Sequence, residues 1–513
     1  MTKITETKKN KESSSADDCP EPSNNESKKS STGKRWSEYL GIPLAIVVFA
    51  VLYFMPTPAG LTLAGQYSLA CFAFAFVLWV LEPIPEYVTS LILMVMLVLL
   101  GVRSEENVLS ALGLGVIWLN IAAFILSSVL VKTNLARRLA LLFVLKCGHN
   151  IYTICLAFVF LQLVLALFIP SSAARTLIAL PIMLMVADMF GSTSQNPNNA
   201  GKNIFLINQQ AISMSGSGFL TGSAANLIAV AFIIGMTSHR VYYSEWLIGS
   251  LPVVLATLLA SWFIGPHLFF RVKKGNIKPN KGSGVEGIAK ELKKMGRITA
   301  MEIHGAIIFA IVLFFWMTDK YQAQWFGFEI SPVIAAIIGA IIAFMPKIGL
   351  IKWKEANIPW EVLIFSAGAY AGGLALEGTG AARWMVGYML DAFNIKPGVN
   401  FWLVYIIVMA VTVYSHIVFT SKTMRCLILI PIIIALAQKL GFNPVALALP
   451  AAFAIDWVIS LPINSKPNVI LYSSGQFSVF NSLVYGVAVS TVGIIFLVLA
   501  GFTLYRIMGI VTY

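Results

Sequence analysis

Apolar stretches of roughly 18 residues or more, each long enough to cross the hydrocarbon core of a bilayer, recur from end to end of the chain. Leu61 to Leu81 and Leu483 to Tyr505 are two of them. Lipid offers no partner to a free backbone N–H or C=O, so such runs are helices. The rest of the composition agrees: 58% hydrophobic residues, 12% charged residues and a mean hydropathy of +0.81 lie far from soluble domains. The expected fold class is therefore an all-α polytopic membrane protein. The net charge of +13 sits mainly in two segments outside the spans rather than along one surface, which argues against nucleic-acid binding. Cys19, Cys71, Cys147, Cys155 and Cys426 have no CxxC or metal-like spacing and predict no disulfide.

Residues 1–35 are rich in Lys, Ser, Glu and Asn, with too little apolar surface to order themselves, and read as a disordered cytoplasmic tail. The tail has no signal-peptide core, and its acids argue against a transit peptide, leaving the plasma membrane as the expected address. Expected spans are 38–55, 64–82, 86–102, 114–140, a broken 150–190, a broken 203–238 and 243–270. They continue with 302–317, 329–346, 360–388, a broken 398–438, a broken 443–476 and 481–508. Nine cations between Arg271 and Arg297 place that linker in the cytoplasm with the N-terminus. Reading 150–190 and 398–438 as re-entrant hairpins gives about 11 crossings and puts Tyr513 outside. The chain thus divides into an extra span plus a first repeat (36–270), a basic linker (271–300) and a second repeat (301–513).

Three motifs carry the repeat. Thr133 and Arg137 after Phe124 match Thr379 and Arg383 after Tyr370, an offset of 379 − 133 = 246. Ser171-Ser172-Ala173-Ala174-Arg175 with Pro181 matches Ser421-Lys422-Thr423-Met424-Arg425 with Pro431, an offset of 250. Ser223-Ala224-Ala225-Asn226 matches Ser465-Lys466-Pro467-Asn468, an offset of 242. At these offsets the first copy starts outside and the second inside, so the repeat is inverted, an arrangement that serves alternating access.

Four polar or Pro-containing breaks interrupt the apolar segments: Pro170 to Thr176, Thr221 to Asn226, Thr420 to Arg425 and Leu461 to Asn468. Irregular backbone at membrane depth persists only where it lines a cavity or is buried in protein. Helix N-termini there, with hydroxyls and the Asn226 and Asn468 amides, suit carboxylate oxygens. Arg175, Lys422, Arg425 and Lys466 lie in or beside the breaks, and cations at that depth call for an anion or for Asp456. A structural reading competes for Arg175, Arg425 and Lys466, which could cap a hairpin or pair with Asp456 instead of touching substrate. The five histidines are scattered without metal spacing, and no cofactor or metal is expected. Arg137, Arg138 and Arg383 read as interfacial helix ends, and Glu82-Pro83-Ile84-Pro85-Glu86 as a structural turn.

The twofold Ser-x-x-x signature with a Pro ten residues on resembles that of the divalent anion/sodium symporter family. The companion loops Gly222-Ser223-Ala224-Ala225-Asn226 and Asn464-Ser465-Lys466-Pro467-Asn468 resemble those of the same family, and so does Leu81-Glu82-Pro83-Ile84-Pro85. The resemblance covers about residues 36–510. It implies a homodimer, an elevator-type motion and one site for a di- or tricarboxylate or sulfate-like anion. That site would be built from Ser171, Ser172, Ala173, Arg175, Gly222, Ser223, Asn226, Ser421, Lys422, Thr423, Arg425, Ser465, Lys466, Pro467 and Asn468. Where sodium-coupled members carry Asn in each signature, this chain has Ser172 and Lys422, and Arg175 resembles the Arg of citrate/succinate-type antiporters. An ammonium beside that position supplies the charge a sodium ion would bring, so sodium-independent exchange is the expected activity and sodium-coupled symport the alternative. The chain has no catalytic constellation, so no enzymatic activity is expected.

Overall fold

The computed structural model describes residues 31–147, 150–273, 277–278, 285–392, 398–419 and 421–512. Most of the expected tail, His149 and Thr420 lie outside these residues. Helix α1 (Ser31–Phe54) already includes 31–35.

The first half continues with α2 (Leu63–Leu81), α3 (Glu86–Leu99), the short α4 (Glu105–Leu109), α5 (Gly115–Lys132), α6 (Leu135–Cys147), α7 (Ile151–Phe168), α8 (Ser172–Met189), α9 (Asn199–Gly218), α10 (Ala224–Thr237) and α11 (Tyr243–Ile264). After α12 (Val285–Lys294) in the linker come α13 (Ala300–Met317), the short α14 (Gln322–Phe326), α15 (Pro332–Phe344), α16 (Trp360–Gly378), α17 (Ala381–Ala392), α18 (Phe401–Tyr414), α19 (Lys422–Leu440), α20 (Pro444–Ala454), α21 (Lys466–Tyr472), α22 (Val479–Phe502) and α23 (Leu504–Ile507). The order from α5 to α11 repeats from α16 to α22. All described regular structure is helical.

Eight of these helices are long and apolar enough to cross a membrane, or nine when the bent pair α16–α17 is one span. That measure counts the limbs α7, α8 and α19 and omits the short or polar helices. Connectivity gives a different total. Only Ile169 to Ser171 separate α7 from α8, which makes them one hairpin, and α18–α19 is its counterpart. Taking α9–α10 and α20–α21 as one broken crossing each, the expected eleven crossings result.

The expected span 114–140 is two helices. Asn134 in the left-handed region (φ 58°) ends α5 and turns the chain into α6, as Gly380 (φ 75°) separates α16 from α17. The offset, 380 − 134 = 246, is that of the flanking motif. The α16–α17 bend is 70°. Hydropathy runs through both bends, which is why they are invisible to it.

Packing exchanges the two copies. Helix α3 lies on α16 and its counterpart α15 on α5, while α10 lies on α19 and α21 on α8. Each broken helix therefore rests on the hairpin of the other repeat, which brings the breaks together. Between them runs α9, in which every residue from Asn203 to Gly218 is buried despite four amides and three serines.

The linker is fixed by a clasp. Arg138, at the start of α6, is nearly buried; its Nε donates to Glu302 Oε1 at 2.5 Å, and its Nη atoms donate to the carbonyls of Met295, Gly296 and Arg297 at 2.9–3.3 Å. This corrects the reading of Arg138 as an interfacial helix end. Its charge is matched by a carboxylate and the open end of the preceding turn, so it needs no headgroup.

Candidate functional site

The first serine of each motif is a helix N-cap. Ser171 Oγ accepts from Ala174 N–H, Ser421 Oγ from Met424 N–H, Ser223 Oγ from Ala225 N–H and Ser465 Oγ from Asn468 N–H. A side-chain oxygen that satisfies an early N–H starts α8, α19, α10 and α21 right after the irregular stretch. Pro467 sits in the first turn of α21, where its missing N–H costs nothing.

Asn226 and Asn468 do something other than expected. Asn226 Nδ2 donates to the carbonyls of Gly216 (2.8 Å) and Phe219 (2.9 Å), ten and seven residues earlier. Asn468 Nδ2 donates to those of Val458 (3.1 Å) and Leu461 (3.0 Å), again ten and seven residues earlier. Each amide cinches its own loop, so its N–H groups face backbone rather than substrate. What remains is an acceptor: the Oδ1 atoms of both are buried without a partner. Gly222 is required by the first cinch, since a Cβ there would run into the Gly216 carbonyl.

The second break is the longer. At the offset of 242, Ala454 corresponds to residue 212, yet α9 continues to Gly218 while α20 stops at Ala454. Residues 455–465 are unwound apart from a single 3-10 turn, and Asp456 lies in this stretch rather than on a helix leading to Lys466. Lys422 Nζ is 2.7 Å from Asp456 Oδ1; the lysine side chain is 21% exposed and the aspartate fully buried. Ser223 Oγ donates to the same carboxylate oxygen at 2.8 Å, and Lys422 Nζ donates to Ser172 Oγ at 3.3 Å. One ammonium thus joins the second hairpin (Lys422), the first hairpin (Ser172) and the second break (Asp456), with the first break (Ser223) one bond away.

Arg175 is fully buried. Its Nη1 donates to Ser215 Oγ at 2.6 Å, while Nε and Nη2 have no hydrogen-bond partner, nor does Asp456 Oδ2. Arg175 and Asp456 both crowd the bare Cα of Gly216 without forming an ion pair. Four expected residues stay outside this knot or at its edge. Arg425 donates to the carbonyls of Ala454, Ile455 and Trp457, closing the C-terminal end of α20 where a cation complements the helix dipole. Lys466 is exposed, and Thr423 and Ala173 are half-buried beside the caps. Ser215, Gly216 and the pair His416 Nε2···Ser460 Oγ (2.7 Å) were not anticipated; the run Ser213-Met214-Ser215-Gly216-Ser217-Gly218 was the available signal.

Among the described residues no group of His, Cys, Asp and Glu is arranged to hold a metal. With Lys466 exposed, the buried or half-buried Arg175, Lys422 and Arg425 against Asp456 leave two positive charges around the breaks.

Two broken helices crossed over two hairpins, with charge gathered at the breaks, define a polytopic membrane protein of the secondary-transporter class. Residues 36–511 match the family model for the sodium:sulfate symporter transmembrane region, and the chain belongs to that family, the divalent anion/sodium symporters. It is 28% identical over 494 residues to a protein described as a membrane protein in Cupriavidus necator, covering 92% of this chain and 93% of the other. It is 27% identical over 490 residues to the sodium-dependent dicarboxylate transporter SdcS of Staphylococcus aureus strain MRSA252, covering 92% of each chain. Among solved structures it resembles the YdaH transporter of Alcanivorax borkumensis, with a TM-score of 0.52 and 14% identity over 93% of this chain and 98% of that one, a likeness of fold alone.

Proposed function

We propose that this chain is a secondary active carrier of small di- or tricarboxylate anions that works by sodium-independent exchange. The observation that carries the reading is Lys422, whose ammonium lies 2.7 Å from Asp456 and 3.3 Å from Ser172. A fixed cation stands where the two hairpins meet the second break, and its charge does not leave with the substrate. The charge balance supports a divalent cargo. Three cations withdrawn from water, Arg175, Lys422 and Arg425, against one carboxylate leave an excess of two, and carrying that excess through a low-dielectric interior costs several kcal/mol per unpaired charge. A bound dianion cancels it, so the loaded carrier crosses and the empty one does not, which couples entry of one anion to exit of another. Substrate contacts in this reading come from Ser172, Ser223, Lys422, Thr423 and the caps Ser171, Ser421 and Ser465, with Arg175 acting through Ser215. The carrier works as a homodimer in the cell membrane, with an elevator-type motion, N-terminus inside and C-terminus outside.

Sodium-coupled symport of a dicarboxylate or sulfate is the second reading. It is favoured by the buried Asn226 and Asn468 Oδ1 acceptors, which suit a small cation, and by relatives described as sodium-dependent. Uptake of radiolabelled succinate into proteoliposomes, with or without internal dicarboxylate and with sodium or potassium outside, separates the two. Exchange predicts uptake that needs internal dicarboxylate and ignores sodium. Sodium-driven uptake into empty vesicles would sink it. Gain of sodium dependence in Lys422→Asn would tie the difference to that ammonium.

A further inference from the structure

The linker helix α12 has two faces. Ile288 is buried and Leu292 and Met295 are half-buried where the helix packs on α6 and α8. Lys290, Lys293 and Lys294 are exposed, followed by exposed Arg297, and Arg137 on α6 adds a side chain 55% exposed. The only carboxylate paired with this group among the described residues is Glu291, bonded to Arg137 at 2.9 Å and to Lys294 at 2.8 Å. Lys290, Lys293 and Arg297 make no ion pair among the described residues.

The position of this face is fixed. Gly296 turns the chain with φ 65°, and the Arg138 guanidinium holds the carbonyls of Met295, Gly296 and Arg297. Immediately after the turn the surface becomes apolar: Ile298 is 62% exposed, and Met301, Ile303 and Ile307 continue outward along α13, a candidate span. Outward apolar side chains on a spanning helix mark the side that meets lipid tails, so Arg297 and the face of α12 stand at headgroup level. Basic clusters immediately flanking a span attract anionic headgroups.

We propose that Lys290, Lys293, Lys294 and Arg297 form a docking surface for the headgroups of anionic phospholipids. Glu291 is kept from repelling them by its two cationic partners. Because α12 rests on α8, whose other end carries Ser172 and Arg175, a docked headgroup steadies the first hairpin. The surface is independent of the identity of the transported anion.

The test is thermal unfolding of the full chain in a neutral detergent with added phosphatidylglycerol, phosphatidylcholine or inorganic phosphate. Phosphatidylglycerol raises the Tm, the rise shrinks with salt, and the other two additions leave it unchanged. Each cation contributes about a fivefold factor in lipid affinity. The triple variant K290Q/K293Q/R297Q therefore shifts half-saturation by roughly a hundredfold, and K290R/K293R/R297K keeps the wild-type response. A triple-Gln variant that responds like the wild type, a charge-preserving variant that does not, or equal stabilisation by inorganic phosphate overturns the proposal.

Discussion

The two broken helices descend from one plan and are held open in different ways. In the first, α9 runs unbroken to Gly218, and a short loop is cinched by Asn226. In the second, α20 ends six residues sooner in register, and the unwound backbone is held from several directions. Arg425 takes the carbonyls of residues 454, 455 and 457; Ser213 takes that of Val458; Gln209 and Gln210 take that of Ile459; Asn468 takes those of Val458 and Leu461. Helix α20 itself is apolar throughout, so the polar groups come from α9 of the other repeat and from Arg425 and Asn468 elsewhere in its own. Duplication supplied the frame. The chemistry lies in the asymmetry, since the unwinding places Asp456 where the first copy has Met214.

The sharpest challenge to this comparison is to remove the matched arginines. Arg425→Leu strips a cation from three buried carbonyls and should cost about 3 kcal/mol or more of stability, read by thermal unfolding in detergent. Arg175→Leu removes one bond to Ser215 and should cost about 1–2 kcal/mol while abolishing transport. If Arg175→Leu unfolded the protein and Arg425→Leu did not, the structural and functional arginines would have to be exchanged.

Lys422→Met leaves the buried Asp456 without its cation, at a cost of about 3 kcal/mol. The double variant with Asp456→Asn should recover most of that, because a neutral amide can remain there. A double variant no better than the single one would mean that Asp456 is held by groups other than Lys422. The cinches give a finer comparison. Asn226→Ala should cost about 2 kcal/mol and Asn468→Ala about 1, since Ser213 also holds the Val458 carbonyl. Equal losses would show that Ser213 contributes nothing.

The smallest effect lies outside the membrane. Lys294, hydrogen-bonded to Glu291, and Arg137 beside it hold this carboxyl below its ordinary value. A depressed carboxyl stabilises the fold above its unfolded pKa and loses that contribution as pH falls through its lowered folded value. Protection of the α12 amides from hydrogen exchange, relative to their intrinsic rates at each pH, should therefore fall on acidification below about pH 4 in the wild type, and in Glu291→Gln should be low and flat across that range.

The sequence carried the repeat, the breaks and the hairpins because small and polar residues stand out in lipid-spanning segments, and three motifs recurred at nearly constant spacing. Ser171 and Ser421 stood out in the sequence as candidates for the site, and the backbone shows them to be helix caps. Asp456 was expected to pair with Arg175, Arg425 or Lys466, yet its ion pair is with Lys422, the cation read as the ligand contact. Arg425 was misleading, since a cation in a break looks the same in sequence whether it meets a ligand or three carbonyls. The amides of Asn226 and Asn468 misled for the same reason. The Arg138–Glu302 clasp joins residues 164 apart, a distance over which periodicity carries no information.

Helix α9 also bears on how the chain is made. Synthesis delivers it to the membrane while residues 455–461 do not yet exist, so Gln209, Gln210 and Ser213 must wait without the carbonyls they finally hold. A nascent first half is thus left with an unsatisfied polar seam, and release of the second half completes both copies at once. Severing the chain within the 271–300 linker should yield fragments that are stable together and short-lived apart.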